Sequence, residues 1–235
     1  MATEGLVASK GLLKLMTWLS PSFPVGGYTY SHGLEYAVED KLIVNWQALA
    51  EWVEGVLSFG VGKTDAILFA AAWTAVREDD QEGLATAVEL ADVMRPSSEM
   101  ALESSAQGKA FLKAVTDIWP HAMLERWHKD LNEAQRDPAY PVAVGVVAAL
   151  NDVPLHPALT AYLHAVAANL VSAGVRLIPL GQTTGLKALE KLEPSVLAMA
   201  SAALGTTIDD IGSAAPMVDW TSMKHETQYT RLFRS

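Results

Sequence analysis

SPSFPVGGYTYSHGLEYAVED, at residues 20–40, is the densest run of conformationally special residues in a chain otherwise rich in Ala, Leu and Val. Its two prolines fix φ and remove two backbone donors. Gly26 and Gly27 allow backbone angles that are closed to other residues. Apolar residues precede the stretch, and a helical pattern resumes at Leu34. The stretch therefore predicts a rigid elbow between two helices.

The elbow displays five polar or amphipathic side chains in a row, at residues 28–32, among them Tyr28, Tyr30, Ser31 and His32. Loops that a rigid scaffold positions often carry function, so these residues are candidates for a partner-binding surface. A structural interpretation stands beside this one. A Pro/Gly elbow can simply turn the chain, and a tyrosine can fill the core while its hydroxyl stays at the surface.

Outward from the elbow, apolar residues recur at helical spacing through most of the chain. Ser31 and Asn45 are placed to cap helices, and a long helix is predicted to start at Ser97. The clearest helical pattern covers residues 155–178. Residues 140–150 contain many valines and fit a strand or a helix, but their alanines and helical neighbours favour a helix.

These patterns predict an all-α fold, a single-domain bundle of about eight to ten helices over residues 1–205. Glu193 and Pro194 are predicted to separate two helices, over residues 181–192 and 194–204. Periodicity fails after Gly205, so residues 206–235 are predicted to form an irregular C-terminal tail. The tail keeps large apolar residues that disordered segments usually lack, and we therefore expect it to dock on a partner.

Composition excludes several classes of function. The 235 residues contain no Cys, so neither a disulfide framework nor a thiolate metal site is available. The formal net charge of -10 argues against a nucleic-acid-binding protein, which would carry a basic face. The sequence lacks a secretory signal pattern, and polar residues interrupt its longest apolar runs. We therefore expect a cytoplasmic protein that does not span a membrane.

Motifs for nucleotide or metal chemistry are incomplete. The GVGKT run at residues 60–64 resembles the end of a P-loop, but Leu57 replaces the first glycine and a helix precedes it instead of a strand. His32 and Glu35 are spaced to share a helix face, yet two ligands are too few for a tight metal site. No catalytic residue, metal site or cofactor is predicted. Direct nucleotide or nickel binding through residues 60–64 or His32 remains the alternative hypothesis.

Two further clusters are candidates for partner binding. In RLIPLGQTTG, residues 176–185, a helix ends and polar amides follow. The last residues, HETQYTRLFRS, place two arginines beside two apolar anchors, and arginine and aromatic residues often dominate interface energetics. The candidates in these two clusters are Arg176, Gln182, His225, Glu226, Arg231, Leu232, Phe233 and Arg234. The alternative to partner binding is that the residues of these two clusters only cap helices and pack against the rest of the fold.

The three clusters together resemble the urease accessory protein F (UreF) family. The elbow is similar to the family pattern S-P-x-x-P-V-G-x-Y-S-Y-S-x-G-L-E. The second cluster is similar to R-L-x-P-L-G-Q-T-x-G, and the third to H-E-x-x-x-x-R-L-F-x-S. This chain departs from the family at Leu186, where a glutamine is usual, and at Ala101, which replaces an arginine in a looser fourth stretch.

The resemblance implies an all-α homodimer that serves as a non-catalytic scaffold. In that family the protein joins UreD (also called UreH) and the GTPase UreG, and the assembly loads nickel into apo-urease. The resemblance also implies that the tail docks on UreD/UreH, with Arg231 as an anchor, and that Tyr28 and Tyr30 face a partner.

Overall fold

The fold is known from a computed structural model, which describes residues 2–235 and the side chains of residues 10–235. This part of the chain forms eleven α-helices and no strand, which confirms the all-α prediction. The helices are α1 (Ala2–Trp18), α2 (Leu34–Glu39), α3 (Trp46–Phe59), α4 (Val61–Glu78), α5 (Gln81–Val93), α6 (Ser98–Ile118), α7 (Ala122–Glu133), α8 (Tyr140–Leu150), α9 (Leu155–Leu177), α10 (Gln182–Ala203) and α11 (Pro216–His225).

Capping signals identify several helix starts correctly. The Asn45 side chain accepts a hydrogen bond from the Ala48 amide at 2.9 Å, and Ser97 accepts one from the Met100 amide at 3.2 Å. These bonds satisfy amides that have no partner within the first turn of a helix. Ser31 is not the N-cap residue of α2, because the helix begins after Gly33. Its hydroxyl nevertheless accepts from the Glu35 amide in the first turn at 3.4 Å, and it donates to the main-chain oxygen of Ser235.

The centre of the fold is the contact between α4 and α8. Helix α8 is buried almost all round, as expected of a helix that is apolar on every side. Gly145 allows the close approach, because a Cβ atom there would lie 2.7 Å from the carbonyl oxygen of Phe69. Burial on all sides therefore overrides the strand propensity of the valines, and the helix predicted for residues 140–150 is confirmed.

Helix α9 packs against α3, α4 and α10 and completes the core. It is the one helix of the described range that could cross a membrane by length and composition alone. Helices α3 and α4, which bend by 40° at their junction, pass the same test as a pair. In this fold Leu159, Leu163 and Leu170 of α9 are buried core residues, so the apolar character of α9 has a structural explanation.

Helix α10 corrects the prediction of two helices separated at Pro194. It runs unbroken from Gln182 to Ala203 with Pro194 inside it. Both Pro194 and Glu190, whose carbonyl would accept the missing amide bond, lie on the exposed face. The buried stripe, by contrast, passes the proline without interruption. It consists of Gly185, Ala188, Leu192, Val196, Ala200 and Ala203. Packing of this stripe offsets the local cost of the proline.

Residues 206–235 are more ordered than the predicted irregular tail. They contain a 3-10 turn (Ile208–Asp210) and α11, which packs against α2 and α6. The buried positions of α11 are Val218, Thr221, Ser222 and His225. Their spacing is that of one helix face, but three of the four side chains are polar. A search for apolar periodicity therefore overlooks this helix.

Candidate functional site

The elbow and the last residues of the chain meet at one buried polar cluster, which we call the terminal junction. It consists of residues 28–35, residues 97–107 at the start of α6, Arg176 at the end of α9, and residues 222–235. Gly33 lets the elbow and α11 approach, since a Cβ atom there would lie 2.4 Å from the Ser222 amide nitrogen. The same glycine has a φ of 73°, in the left-handed region.

Main-chain hydrogen bonds join the tail to the elbow. The Arg234 amide donates to the Thr29 carbonyl at 2.8 Å, and the Ser31 amide donates to the Ser235 main-chain oxygen at 2.7 Å. The two segments therefore lie side by side, although more than 200 residues separate them in sequence.

Glu35 of α2 is the central acceptor of the junction. Its carboxylate accepts from the amides of Leu232 at 2.7 Å and Phe233 at 2.8 Å. The same group lies 3.2 Å from Nε2 of His225. A carboxylate that accepts several backbone amides is well satisfied despite its burial, so Glu35 fixes the path of the tail.

Glu99, in the first turn of α6, fixes the start of the tail. Its oxygens lie 2.7 Å from Nδ1 of His225 and 2.7 Å from Nη1 of Arg231. The fully buried His225 ring therefore lies between Glu35 and Glu99, with a carboxylate at each nitrogen. This arrangement ties α2, α6 and the tail together.

Glu103 lies one helical turn beyond Glu99 and binds the end of the tail. It accepts from the Ser235 hydroxyl and the Gln107 amide, each at 2.8 Å, and contacts Nε2 of His32 at 2.8 Å. Burial lowers the pKa of His32, but the charge and hydrogen bond of Glu103 outweigh this effect and raise it above its ordinary value. Glu103 thus connects the elbow to the tail.

Arg176 closes the outer side of the junction. Its guanidinium carbon lies 3.6 Å from the centre of the Tyr28 ring and 4.4 Å from that of Phe233. It also donates to the Tyr28 carbonyl at 2.8 Å. An arginine stacked between two aromatic rings gains both cation–π attraction and packing. The three sequence-predicted clusters therefore meet at this residue.

The candidate residues differ in exposure. Tyr30, Ser31, His225 and Phe233 are buried, His32, Arg176 and Glu226 are partly buried, and Tyr28, Gln182, Arg231, Leu232 and Arg234 are exposed. Glu226 accepts from the amide and hydroxyl of Ser98 at 3.0 and 2.7 Å. Gln182 is the first residue of α10, and no hydrogen bond of the described residues ties its side chain to the junction.

Sequence reasoning missed the buried polar residues on α6. Glu99, Glu103 and Gln107 recur every four residues, which places them on one face of the helix. This spacing was the available signal, but a charged helix face ordinarily indicates exposure to solvent. The suggested pairing of His32 with Glu35 is also not formed, because His32 contacts Glu103 while Glu35 binds the tail.

The carboxylates of the junction are already engaged. Glu35 and Glu103 each contact three groups and Glu99 contacts two. The arrangement therefore holds the tail in place and does not present a free acid or base. Among the described residues, no group of three or more His, Asp or Glu side chains has the geometry of a metal site.

The GVGKT run is not a phosphate-binding loop in this fold. Gly60 is the single residue between α3 and α4, and Val61 already begins α4. Gly62 and Thr64 are buried. A Cβ atom on Gly62 would lie 2.6 Å from Cα of Leu57. These residues therefore provide a tight turn and close packing, and a P-loop would need an open, glycine-rich loop after a strand.

A cavity of about 310 Å³ lies beside the junction, between the elbow, α6 and α9. Arg95 and Asp65 form an ion pair at its wall, with 2.6 Å between Nη1 and Oδ1. The Tyr162 hydroxyl donates to the other oxygen of Asp65 at 2.7 Å. Burial and the Asp65 charge raise the pKa of Tyr162 well above its ordinary value, so this phenol remains a proton donor.

Fold and site together define an all-helical protein whose two ends are joined in one buried polar cluster. Comparison with known proteins gives its family. The family model described as UreF matches residues 43–193. A urease accessory protein UreF of Rhodopseudomonas palustris (strain HaA2) is 48% identical over 237 residues, which cover 100% of this chain and 99% of that protein.

A second relative gives the same result. A urease accessory protein UreF of Magnetococcus marinus (strain ATCC BAA-1437 / JCM 17883 / MC-1) is 46% identical over 239 residues and covers 100% of both chains. The chain therefore belongs to the UreF family, which confirms the family inferred from the three sequence clusters.

Proposed function

We propose that this chain is a non-catalytic scaffold for urease maturation. It acts in the cytoplasm as a homodimer and binds UreD/UreH and the GTPase UreG, so that nickel can be inserted into apo-urease. Membership of a family whose relatives are named urease accessory proteins supports the accessory role. The specific partners, the delivery of nickel, the homodimer and the cytoplasmic location are inferred from the resemblance to the family.

The observation that carries the proposal is the surface formed by the ordered tail. Leu232 is 67% exposed, although its own amide is bound by Glu35. On α11, Met217, Trp220 and Met223 are exposed. Exposed apolar side chains on a fixed backbone bind a partner without a large ordering cost. We assign this surface to UreD/UreH.

Helix α2 connects the two parts of this surface. The Trp220 ring packs against that of Tyr36 at 5.5 Å, and Glu35, the adjacent residue, binds the Leu232 amide. Arg231 and Arg234 flank Leu232 and Phe233 in the sequence and are exposed. Protein interfaces combine an apolar centre with a polar rim and are enriched in arginine and aromatic residues.

The test uses point variants, because removing residues 221–235 would also remove the buried His225 and Phe233 and with them the terminal junction. We would co-express the tagged chain with UreD/UreH and UreG from the same source and measure the mass of the complex by size-exclusion chromatography with light scattering. Leu232→Ser should weaken UreD/UreH binding by about 2 kcal/mol, the usual cost of losing an interface hot spot. Leu197→Ser, at an exposed site on α10, is the matched control.

The outcomes separate the parts of the proposal. A wild-type complex that contains two copies of this chain and is lost only in Leu232→Ser supports the scaffold and the tail surface together. Equal binding by both variants contradicts the tail assignment. Failure of the wild-type chain to bind either UreD/UreH or UreG contradicts the proposed function.

A further inference from the structure

The cavity beside the terminal junction contains an arginine edge that nothing in the proposed function uses. The Arg95 side chain is 5% exposed and its Nη1 atom is paired with Asp65. Its Nε and Nη2 atoms are buried and have no hydrogen-bond partner among the described residues. A buried charged donor without a partner is costly. Because Arg95 also lines the cavity, this edge is available to an acceptor that enters the cavity.

The two free atoms define the shape of the acceptor. Nε and Nη2 form one edge of the planar guanidinium group, with two N–H bonds that point in the same direction. A carboxylate matches such an edge with two parallel hydrogen bonds. Because Nη1 is held by Asp65, the orientation of the guanidinium is fixed before the ligand arrives.

The carboxylates around the cavity disfavour a ligand with more than one negative charge. Asp65 and Glu103 both line the cavity. Asp65 is paired with Nη1 of Arg95, which leaves the opposite edge of the guanidinium for a ligand. Glu103 is contacted by His32, Gln107 and Ser235. A second negative charge on the ligand would lie near one of these carboxylates, and like charges in a buried site repel strongly.

The rest of the cavity is suited to an apolar body. Phe23, Val25, Met100, Val166 and Leu170 contribute to its wall. Tyr140 also lines it, and burial raises the pKa of this phenol far above its ordinary value, so it stays neutral. Ligand-binding pockets start at about 300 Å³ and combine apolar walls with a few polar groups, and the volume of about 310 Å³ fits a small organic acid.

We propose that this cavity binds a small monocarboxylate, with its carboxylate on the Nε–Nη2 edge of Arg95 and its apolar body against Phe23, Val25 and Met100. The proposal concerns a ligand of this chain itself and does not depend on a role in urease maturation. Its test accordingly needs no partner protein.

The experiment is a calorimetric titration of the full chain with butyrate and with benzoate, and with succinate as the dianion control. We expect saturable binding of a monocarboxylate at concentrations up to about 10 mM, and at least roughly tenfold weaker binding of succinate. Inorganic phosphate serves as the second control. Equal or tighter binding of succinate or phosphate would contradict the assigned ligand class.

Two kinds of variant locate the binding. Arg95→Lys keeps a positive charge beside Asp65 but lacks the two-donor edge, so it should weaken monocarboxylate binding by about tenfold or more. Ala168→Met leaves Arg95 intact and places a larger side chain at the cavity wall, so it should also weaken binding. Ala202→Met, at an exposed site on α10, is the matched control.

The variants are compared only after circular dichroism shows unchanged helix content. Loss of binding in Arg95→Lys and Ala168→Met, with retention in Ala202→Met, supports the site. Absence of monocarboxylate binding by the wild-type chain overturns the proposal. So does binding that persists in Ala168→Met and Arg95→Lys.

Discussion

The contact between α4 and α8 and the terminal junction are both buried, but they are stabilised in different ways. Helix α8 contributes valines, alanines and one glycine, and it packs against α4 through surface area and close approach. The junction is held by Glu35, Glu99 and Glu103, each of which has specific donors from distant segments.

This difference has energetic consequences. Apolar packing is non-directional and scales with the buried area, so its loss depends on how much volume is removed. A buried polar cluster depends on complete pairing, and removal of one member leaves the others without partners. We therefore expect core variants to lower the stability of the whole domain and junction variants to release the tail first.

The largest effect is expected in the core. Phe69 of α4 is fully buried, and its ring lies 5.4 Å from that of Tyr162. Phe69→Ala should lower the free energy of unfolding by about 3–5 kcal/mol, because it removes buried surface and leaves a cavity. Urea denaturation followed by circular dichroism measures the change. Phe59→Ala, at a 61% exposed phenylalanine, should change it by no more than about 0.5 kcal/mol; equal losses would show that burial does not decide the cost.

The next effect is in the junction. Glu35→Ala removes the acceptor of the Leu232 and Phe233 amides and one partner of His225. Leaving these groups buried and unpaired should cost about 2–4 kcal/mol, concentrated in the tail. Hydrogen exchange should accelerate at residues 232–233 before the core amides respond.

The control for this variant is Glu190→Ala, on the exposed face of α10. The Glu190 side chain makes no hydrogen bond or ion pair with the described residues, so its removal leaves the junction intact. Exchange that accelerates equally in the core and in the tail of Glu35→Ala would contradict the distinction between the two regions.

A smaller effect is expected at the edge of the junction. Arg176→Ala removes the cation between the rings of Tyr28 and Phe233 and should lower the free energy of unfolding by about 1 kcal/mol. Arg176→Lys should recover only part of this loss, because an ammonium lacks the planar stacking surface. Thermal denaturation of both variants is the measurement, with the exposed Arg126→Ala as control. Full recovery by lysine would show that charge alone matters.

The smallest effect is the pH dependence at His32. Its pKa is raised in the folded state, so the native protein holds this proton more tightly than the unfolded chain. The contribution of protonated His32 to the free energy of unfolding is therefore fully present below the ordinary pKa of about 6.5. It is lost as the pH rises through the pKa of the folded state. The free energy of unfolding should be measured from about pH 5.5 to about pH 9, which spans the ordinary pKa and higher values. It should decline less with pH in His32→Asn than in wild type.

Asparagine is the suitable replacement, because His32 has a φ of 54° and asparagine tolerates the left-handed region. His164→Asn, at an exposed histidine, should retain the wild-type decline. If the free energy of unfolding of His32→Asn declines with pH as much as that of wild type, other groups cause the pH dependence.

Local patterns predicted most of the helices. Asn45 and Ser97 cap helices as expected, and residues 140–150 and 155–177 are helical. The errors occur where tertiary packing opposes a local signal. Pro194 stays inside α10 because the buried stripe continues past it, and α11 escapes notice because its buried face carries Thr221, Ser222 and His225.

The candidate site was predicted only in part. The three clusters were found from their composition and their family resemblance, and the elbow, Arg176 and the tail do meet in the fold. The acceptors on α6 were not found, because nothing in a single sequence distinguishes an exposed glutamate from one that binds a distant backbone amide.

The sequence by itself determined the helical class, the existence of most helices and the family, because these depend on local propensity, apolar periodicity and short motifs. Only the tertiary structure decided that Glu35, Glu99 and Glu103 are buried acceptors and that Arg95 leaves two donors free beside a cavity. The physical reason is that the environment of a polar side chain depends on residues tens to hundreds of positions away, such as Glu35 and Phe233. Local sequence does not specify which of these distant groups will meet.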